Sequence, residues 1–150
     1  MIAIGIDLSV TKAAIGGVRA DGNLATHTIA LNPGLNGAHR LKELRATTRA
    51  VLGAYRAIGV AVLVEQPPNP TLRDMAAVAM EAAQAAIPGA VVMSIGPTGW
   101  KLESVGRGNA TKPECLEFAR ALGYEGDDQD LAESLCMADV AWSRWKRAAA

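Results

Sequence analysis

The sequence predicts an α/β domain on a five-stranded mixed sheet, with three antiparallel strands first, βα units after them, and helices flanking the sheet. Three observations lead there. Met1 to Leu31 reads as short apolar or alternating strands joined by tight turns. Beyond Asn32-Pro33-Gly34 the apolar residues switch to the three-and-four spacing of amphipathic helices. Val60–Val64 then returns to the continuous apolar character of a strand covered on both faces, and Ala90–Ile95 reads as another buried strand. Strands alternating with helices in this way place the helices on the faces of a partly parallel sheet.

Taken in order, Met1 to Leu8 is apolar up to Asp7 and breaks at Ser9, as a buried strand does. Ala13–Arg19 is a second strand, Ala20-Asp21-Gly22-Asn23 carries the Asp-Gly hairpin signal, and Leu24–Leu31 is a third strand. Leu41, Leu44, Thr48, Val51, Leu52, Tyr55 and Ile58 form the apolar stripe of a helix that Gly59 ends. Its other face carries Arg40, Lys42, Arg45, Arg49 and Arg56 against the single acid Glu43. Val60–Val64 follows, and Pro67-Pro68-Asn69-Pro70 makes a stiff loop. Thr71–Ile87 is an Ala- and Met-rich helix stopped by Pro88-Gly89, and Ala90–Ile95 is a further buried strand. Gly99–Lys112, with three glycines and Asn109, reads as a loop. Pro113 opens a helix through Leu122, and Asp127 and Asp128 are caps for a last helix from Gln129 to about Arg147. No repeat or linker divides the chain, so residues 1–150 are expected to form one domain.

Composition narrows the class. Half the residues are hydrophobic and 20% are charged, the balance of a globular chain rather than a disordered one. No apolar run approaches the roughly 18 residues that cross a bilayer. The N-terminus lacks the basic start and cleavage site of a signal peptide, so a soluble, cytoplasmic protein without a membrane partner is expected. Cys115 and Cys136 have neither the number nor the spacing of a disulfide scaffold or C-x-x-C site and are read as packing residues. His27 and His39 lack metal spacing. Trp142 and Trp145 are read as core or dimer packing. Fifteen basic and fifteen acidic residues cancel, so any nucleic-acid surface must come from local clustering of the bases.

The acids carry the chemistry. Asp7 ends an otherwise apolar strand, where a carboxylate needs a partner or a metal because burying an unpaired charge costs several kcal/mol. The alternative is a solvated strand end or a turn cap. Glu65 ends the second fully apolar strand in the same manner, and the carboxyl ends of neighbouring strands are where α/β sheets place ligands. Asp130 and Glu133, three residues apart, share one face of the last helix and are placed in its first turn. Acids there are also favoured by the helix dipole alone. Four carboxylates can hold two divalent cations about 3.5–4 Å apart, the arrangement that activates water and stabilises the leaving 3′ oxygen in phosphodiester cleavage. All-oxygen ligation implies Mg²⁺, with Mn²⁺ as a substitute.

At these residues the sequence resembles the RuvC-type Holliday-junction resolvases, which have the RNase H-like fold. Ile4-Gly5-Ile6-Asp7-Leu8-Ser9 resembles the family's opening G-I-D-P-G strand, and Val64-Glu65-Gln66 its I-E-Q segment. Asp130-Leu131-Ala132-Glu133-Ser134-Leu135 resembles its D-x-A-D-A-L helix. Trp100 through Lys112 resembles its V-K-x-x-V-x-G-x-G-x-A-x-K segment. The resemblance covers nearly the whole chain, in order. It implies a metal-dependent endodeoxyribonuclease, a homodimer placing paired nicks in four-way junctions and other branched DNA, with Asp7, Glu65, Asp130 and Glu133 as metal ligands. It also implies that Lys101 and Lys112 approach the cleaved strand, Lys112 nearest the scissile phosphate. Val10, Pro67-Pro68 and Glu133 stand where the family has Gly, an aromatic and Asp. The absence of a basic tail is similar to the phage-encoded branch.

Arg107, Lys101 and Lys112, together with Arg40, Arg45 and Arg49 of the basic helix, are the expected DNA contacts. A solvated helix face is the alternative for the last three. The same strand order also opens the actin and sugar-kinase ATPases, and an RNase H acting on RNA–DNA hybrids would use the same acids, so fold alone does not choose the substrate. A binding protein of this fold would lack one of the carboxylates, and all four are present.

Overall fold

A computed structural model describes residues 2–55 and 60–150, which leaves Met1 and the expectations for Arg56, Ile58 and Gly59 outside the described residues. The elements run β1 (Ile2–Leu8), β2 (Lys12–Arg19), β3 (Leu24–Ala30), α1 (Gly37–Gly53), β4 (Val60–Glu65), α2 (Pro70–Ala86), β5 (Val91–Ile95), α3 (Pro97–Val105), α4 (Lys112–Ala121) and α5 (Gln129–Ala149). The sheet order is β3-β2-β1-β4-β5. β1, β2 and β3 pair antiparallel, whereas β1–β4 and β4–β5 pair parallel. This is the expected mixed five-stranded sheet flanked by helices.

Strand alternation divides the sheet into two unlike faces. Ile2, Ile4 and Ile6 of β1 and Val60, Val62 and Val64 of β4 point to one side, where they pack with Leu44 and Leu52 of α1 and Met75, Ala79 and Ala83 of α2. On the other side Ala3, Ala61 and Leu63 meet Cys136, Met137, Val140 and Ala141 of α5 and Trp100 of α3. Here the sheet presents small residues. A Cβ on Gly5 would lie 2.0 Å from the Ser134 carbonyl oxygen and 2.7 Å from the Ala138 nitrogen; one on Gly16 would lie 2.6 Å from the Leu135 nitrogen. The backbone of α5 therefore rests almost directly on β1 and β2.

Three expectations are corrected. Residues 97–105 form helix α3 instead of a loop: Pro97 opens it, Gly96 is its cap residue, and the left-handed Gly106 (φ 87°) ends it. Gly106 and Gly108 thus mark a helix end and the turn after it, and only Gly99 lies inside the helix. The second concerns 91–95. β5 is an edge strand, half-buried along most of its length with Val91 exposed, rather than the buried strand expected. Helix α4 begins with the capping box Thr111–Glu114, and Asp128, not Asp127, caps α5 by accepting from the amides of Asp130 and Leu131.

Candidate active site

Asp7 is an odd-numbered residue of β1, so it projects toward α5 with Ala3 and Gly5. β1 and β4 run parallel with Ile6 opposite Val64, which brings Asp7 and Glu65 to the same end of the sheet. The close seating of α5 supplies the remaining acids. Asp130 lies in its first turn. Glu133 is the fifth helical residue, one turn deeper than expected, and only 6% exposed. The helix dipole explains an acid at Asp130 but not a buried one at Glu133.

Asp7, Asp130 and Glu133 each present one carboxylate oxygen, and these atoms lie within 4.8 Å of one another. Glu65 is not inside that mutual distance. Its Oε2 instead accepts a hydrogen bond of 2.7 Å from the indole N–H of Trp100, which is fully buried. The acids nevertheless share one electrostatic field. Burial, then the charges of Glu65, Glu133 and Asp130, push the Asp7 carboxyl up to about 7 against the pull of Lys112. Burial also raises Glu65, opposed by the Trp100 hydrogen bond. Asp130 goes the other way: burial works against ionisation, but hydrogen bonds from Lys112 and Lys12 hold it below the usual carboxylate range.

Three lysines balance this charge. Lys101 Nζ lies 3.0 Å from Glu133 Oε1. Lys112 Nζ donates to Asp130 and lies 3.4 Å from Glu133 Oε2. Lys12 Nζ lies 2.7 Å from Asp130 Oδ2 and 3.4 Å from Asp128 Oδ2. Three converging carboxylates, two of them (Asp130 and Glu133) paired with ammonium groups, form a donor set that suits a hard divalent cation, whose oxygen ligands are of this type. Neither Trp100 nor Lys12 was singled out as a site residue by its sequence. The one available signal was that Trp100 directly precedes Lys101 in the matched segment; for Lys12 there was none beyond its nearness to Asp7.

The other expected DNA contacts lie elsewhere. Arg107, on the turn after α3, pairs with Glu114. Arg40 donates from Nη2 to the carbonyls of Pro33 and Leu35 at 3.0 and 3.1 Å and so clamps the loop before α1. Arg45 bridges to Glu81 of α2 at 2.6 Å, and Arg49 is exposed. Helix α1 packs on the sheet face opposite α5, so the structure does not bring Arg40, Arg45 or Arg49 to the carboxylates. Directly after Glu65, Gln66, Pro67, Pro68, Arg73, Pro97 and Thr98 line an open groove of about 450 Å³.

A mixed sheet of this order, with acids at the ends of its two central strands and on the last helix, defines an RNase H-like protein with a carboxylate centre. Among solved structures the chain is similar to RuvC of Thermus thermophilus, at TM-score 0.75 and 25% identity over 97% of this chain and 96% of that one. It is also similar to T. thermophilus RuvC in complex with Holliday junction substrate, at TM-score 0.70 and 23% identity over the same shares. No protein-family model and no curated protein matches the sequence. The fold is that of RuvC.

Proposed function

We propose that the chain is a structure-selective DNA endonuclease that resolves four-way junctions by metal-dependent phosphodiester hydrolysis. The observation that carries this reading is the convergence of Asp7, Asp130 and Glu133 within 4.8 Å on a fold shared with a protein solved on a Holliday junction. Among the described residues no helix is long and apolar enough to cross a membrane.

Asp7, Asp130 and Glu133 would hold divalent ions, Mg²⁺ or Mn²⁺, with Glu65 beside them. Such ions supply a nucleophilic water at neutral pH and stabilise the leaving 3′ oxygen. The chain's own groups set the conditions. Asp7, about half protonated near pH 7, must release its proton before it can ligate. Trp100 fixes the orientation of Glu65 through the 2.7 Å bond from its indole. Lys101 and Lys112, now paired with Glu133 and Asp130, carry the positive charge available to a phosphodiester once those acids take another partner. The groove directly after Glu65 would take a strand leaving the site, with Pro67-Pro68 offering apolar contact without an aromatic ring. Two copies of the chain would set paired nicks on opposing strands of a symmetric junction.

Labelled four-way junction, linear duplex and RNA–DNA hybrid are incubated with the protein in Mg²⁺, Mn²⁺ or chelator. Paired nicks in the junction that require metal, and that Asp7→Asn abolishes while junction binding persists, are expected. Preferential cleavage of the hybrid replaces this reading with that of an RNase H.

A further inference from the structure

Of the three lysines on the carboxylates, Lys12 stands apart. Lys101 and Lys112 come from the α3–α4 side, whereas Lys12 opens β2 and reaches the acids from the sheet. It alone bridges a member of the acid cluster, Asp130 (2.7 Å), and the residue that caps α5, Asp128 (3.4 Å). Its side chain is 30% exposed and that of Asp130 19%, so the pair is partly withdrawn from water and its attraction exceeds that of a surface pair.

An ammonium group and a metal ion are both cations, and here they address the same carboxylate. The Asp130 oxygens accept from Lys12 and Lys112, so a divalent ion reaching Asp130 meets and competes with both ammonium charges at the same two atoms. Lys12 has somewhere to go. Asp128 uses Oδ1 for the cap, at 2.9 and 3.1 Å from the amides of Asp130 and Leu131, which leaves Oδ2 for an ammonium. The released charge therefore keeps a carboxylate partner, and the helix keeps its cap.

We infer that Lys12 is a positioning residue that holds the Asp130 carboxylate in place of a divalent ion, yields to Asp128 when the ion enters, and by this competition sets the ion concentration at which the centre fills. The inference rests on the metal-dependent reading above and adds a residue and a regulation to it.

The test measures Mn²⁺ uptake by the full-length, DNA-free protein from the paramagnetic resonance signal of the free ion, with Asp7→Asn as the blank for this site. Lys12→Met keeps the aliphatic stem and removes the charge; it should tighten Mn²⁺ binding about 3–10-fold. Lys12→Arg keeps the charge and should stay within roughly twofold of the parent. Asp128→Asn preserves the cap, because Asn caps as well as Asp, but removes the fallback charge. It should weaken uptake by about 2–5-fold and lose that effect when combined with Lys12→Met. A structural ion pair predicts the opposite of the first result: Lys12→Met binding Mn²⁺ with the parent's affinity or more weakly overturns the inference. If neither the parent nor Lys12→Met takes up Mn²⁺ in a manner sensitive to Asp7→Asn, the metal centre itself is refuted, and the inference with it.

Discussion

The two faces of the sheet are built for different purposes. Toward α1 and α2 the strands present Ile2, Ile4, Ile6, Val60, Val62 and Val64, full-sized side chains that hold the helices at ordinary packing distance. Toward α5 the sheet presents Ala3 and Gly5 of β1, Gly16 of β2, and Ala61 and Leu63 of β4, then Asp7 and Glu65 at the ends of β1 and β4. The first face supplies apolar burial. The second gives up side-chain volume so that a helix backbone can sit against the sheet and bring Asp130 and Glu133 beside Asp7. A carboxylate centre made from two strands and a helix needs that close approach.

The largest expected effect breaks this contrast directly. Gly5→Val sets side-chain carbons where the backbone of α5 now lies, and it should abolish metal uptake and cleavage and destabilise the chain by more than about 3 kcal/mol. The neighbouring Ile4→Ala, on the other face, should cost about 2–4 kcal/mol while the folded fraction cuts at the parent rate. Urea melts paired with junction cleavage separate the two. Loss of activity at Ile4→Ala beyond its unfolded fraction would refute the division of labour.

Next comes the charge held on the second face. Asp7 titrates near 3.8 in an unfolded chain and near 7 in the fold, so between those values the folded chain retains a proton that the unfolded chain has lost. Stability of the metal-free protein contributed by this group is therefore greatest at acid pH, falls as pH rises from about 4 to about 7, and is level above that. Asp7→Asn should flatten this slope and stabilise the metal-free fold at pH 8 by up to about 4 kcal/mol, in thermal melts with chelator. A parent whose melting temperature rises across that interval contradicts the assignment.

The smallest effect concerns orientation. Trp100→Phe keeps a buried ring but removes the indole N–H from Glu65. Cleavage should fall about tenfold with little change in KM, and stability by about 2 kcal/mol. An equal loss in a variant that shortens Leu102, exposed on the same helix, would show that α3 matters only as packing.

Much of this arrangement could be read from local pattern. Asp7 and Glu65 stand out because each interrupts an apolar strand at its end, and the three-residue spacing of Asp130 and Glu133 puts them on one helical face. What the sequence conceals depends on proximity across the chain. The three glycines between 99 and 108 disguised α3, since glycine both opens turns and closes helices. The indole bond to Glu65 joins residues 35 apart, and Lys12 meets Asp130 only after β2 and α5 have docked. Arg40 looked free for phosphate because its loop carbonyl partners are invisible in helical spacing.

Helix α3 carries a consequence of its own. Trp100 and Lys101 are consecutive residues of one nine-residue helix, and they grip Glu65 of β4 and Glu133 of α5 respectively, while Glu103 is latched to Arg144 and Arg147 farther along α5. The two acids are thereby yoked. Any tilt of α3 swings both together, and neither can wander without dragging a stiff rod that is pinned at its far side.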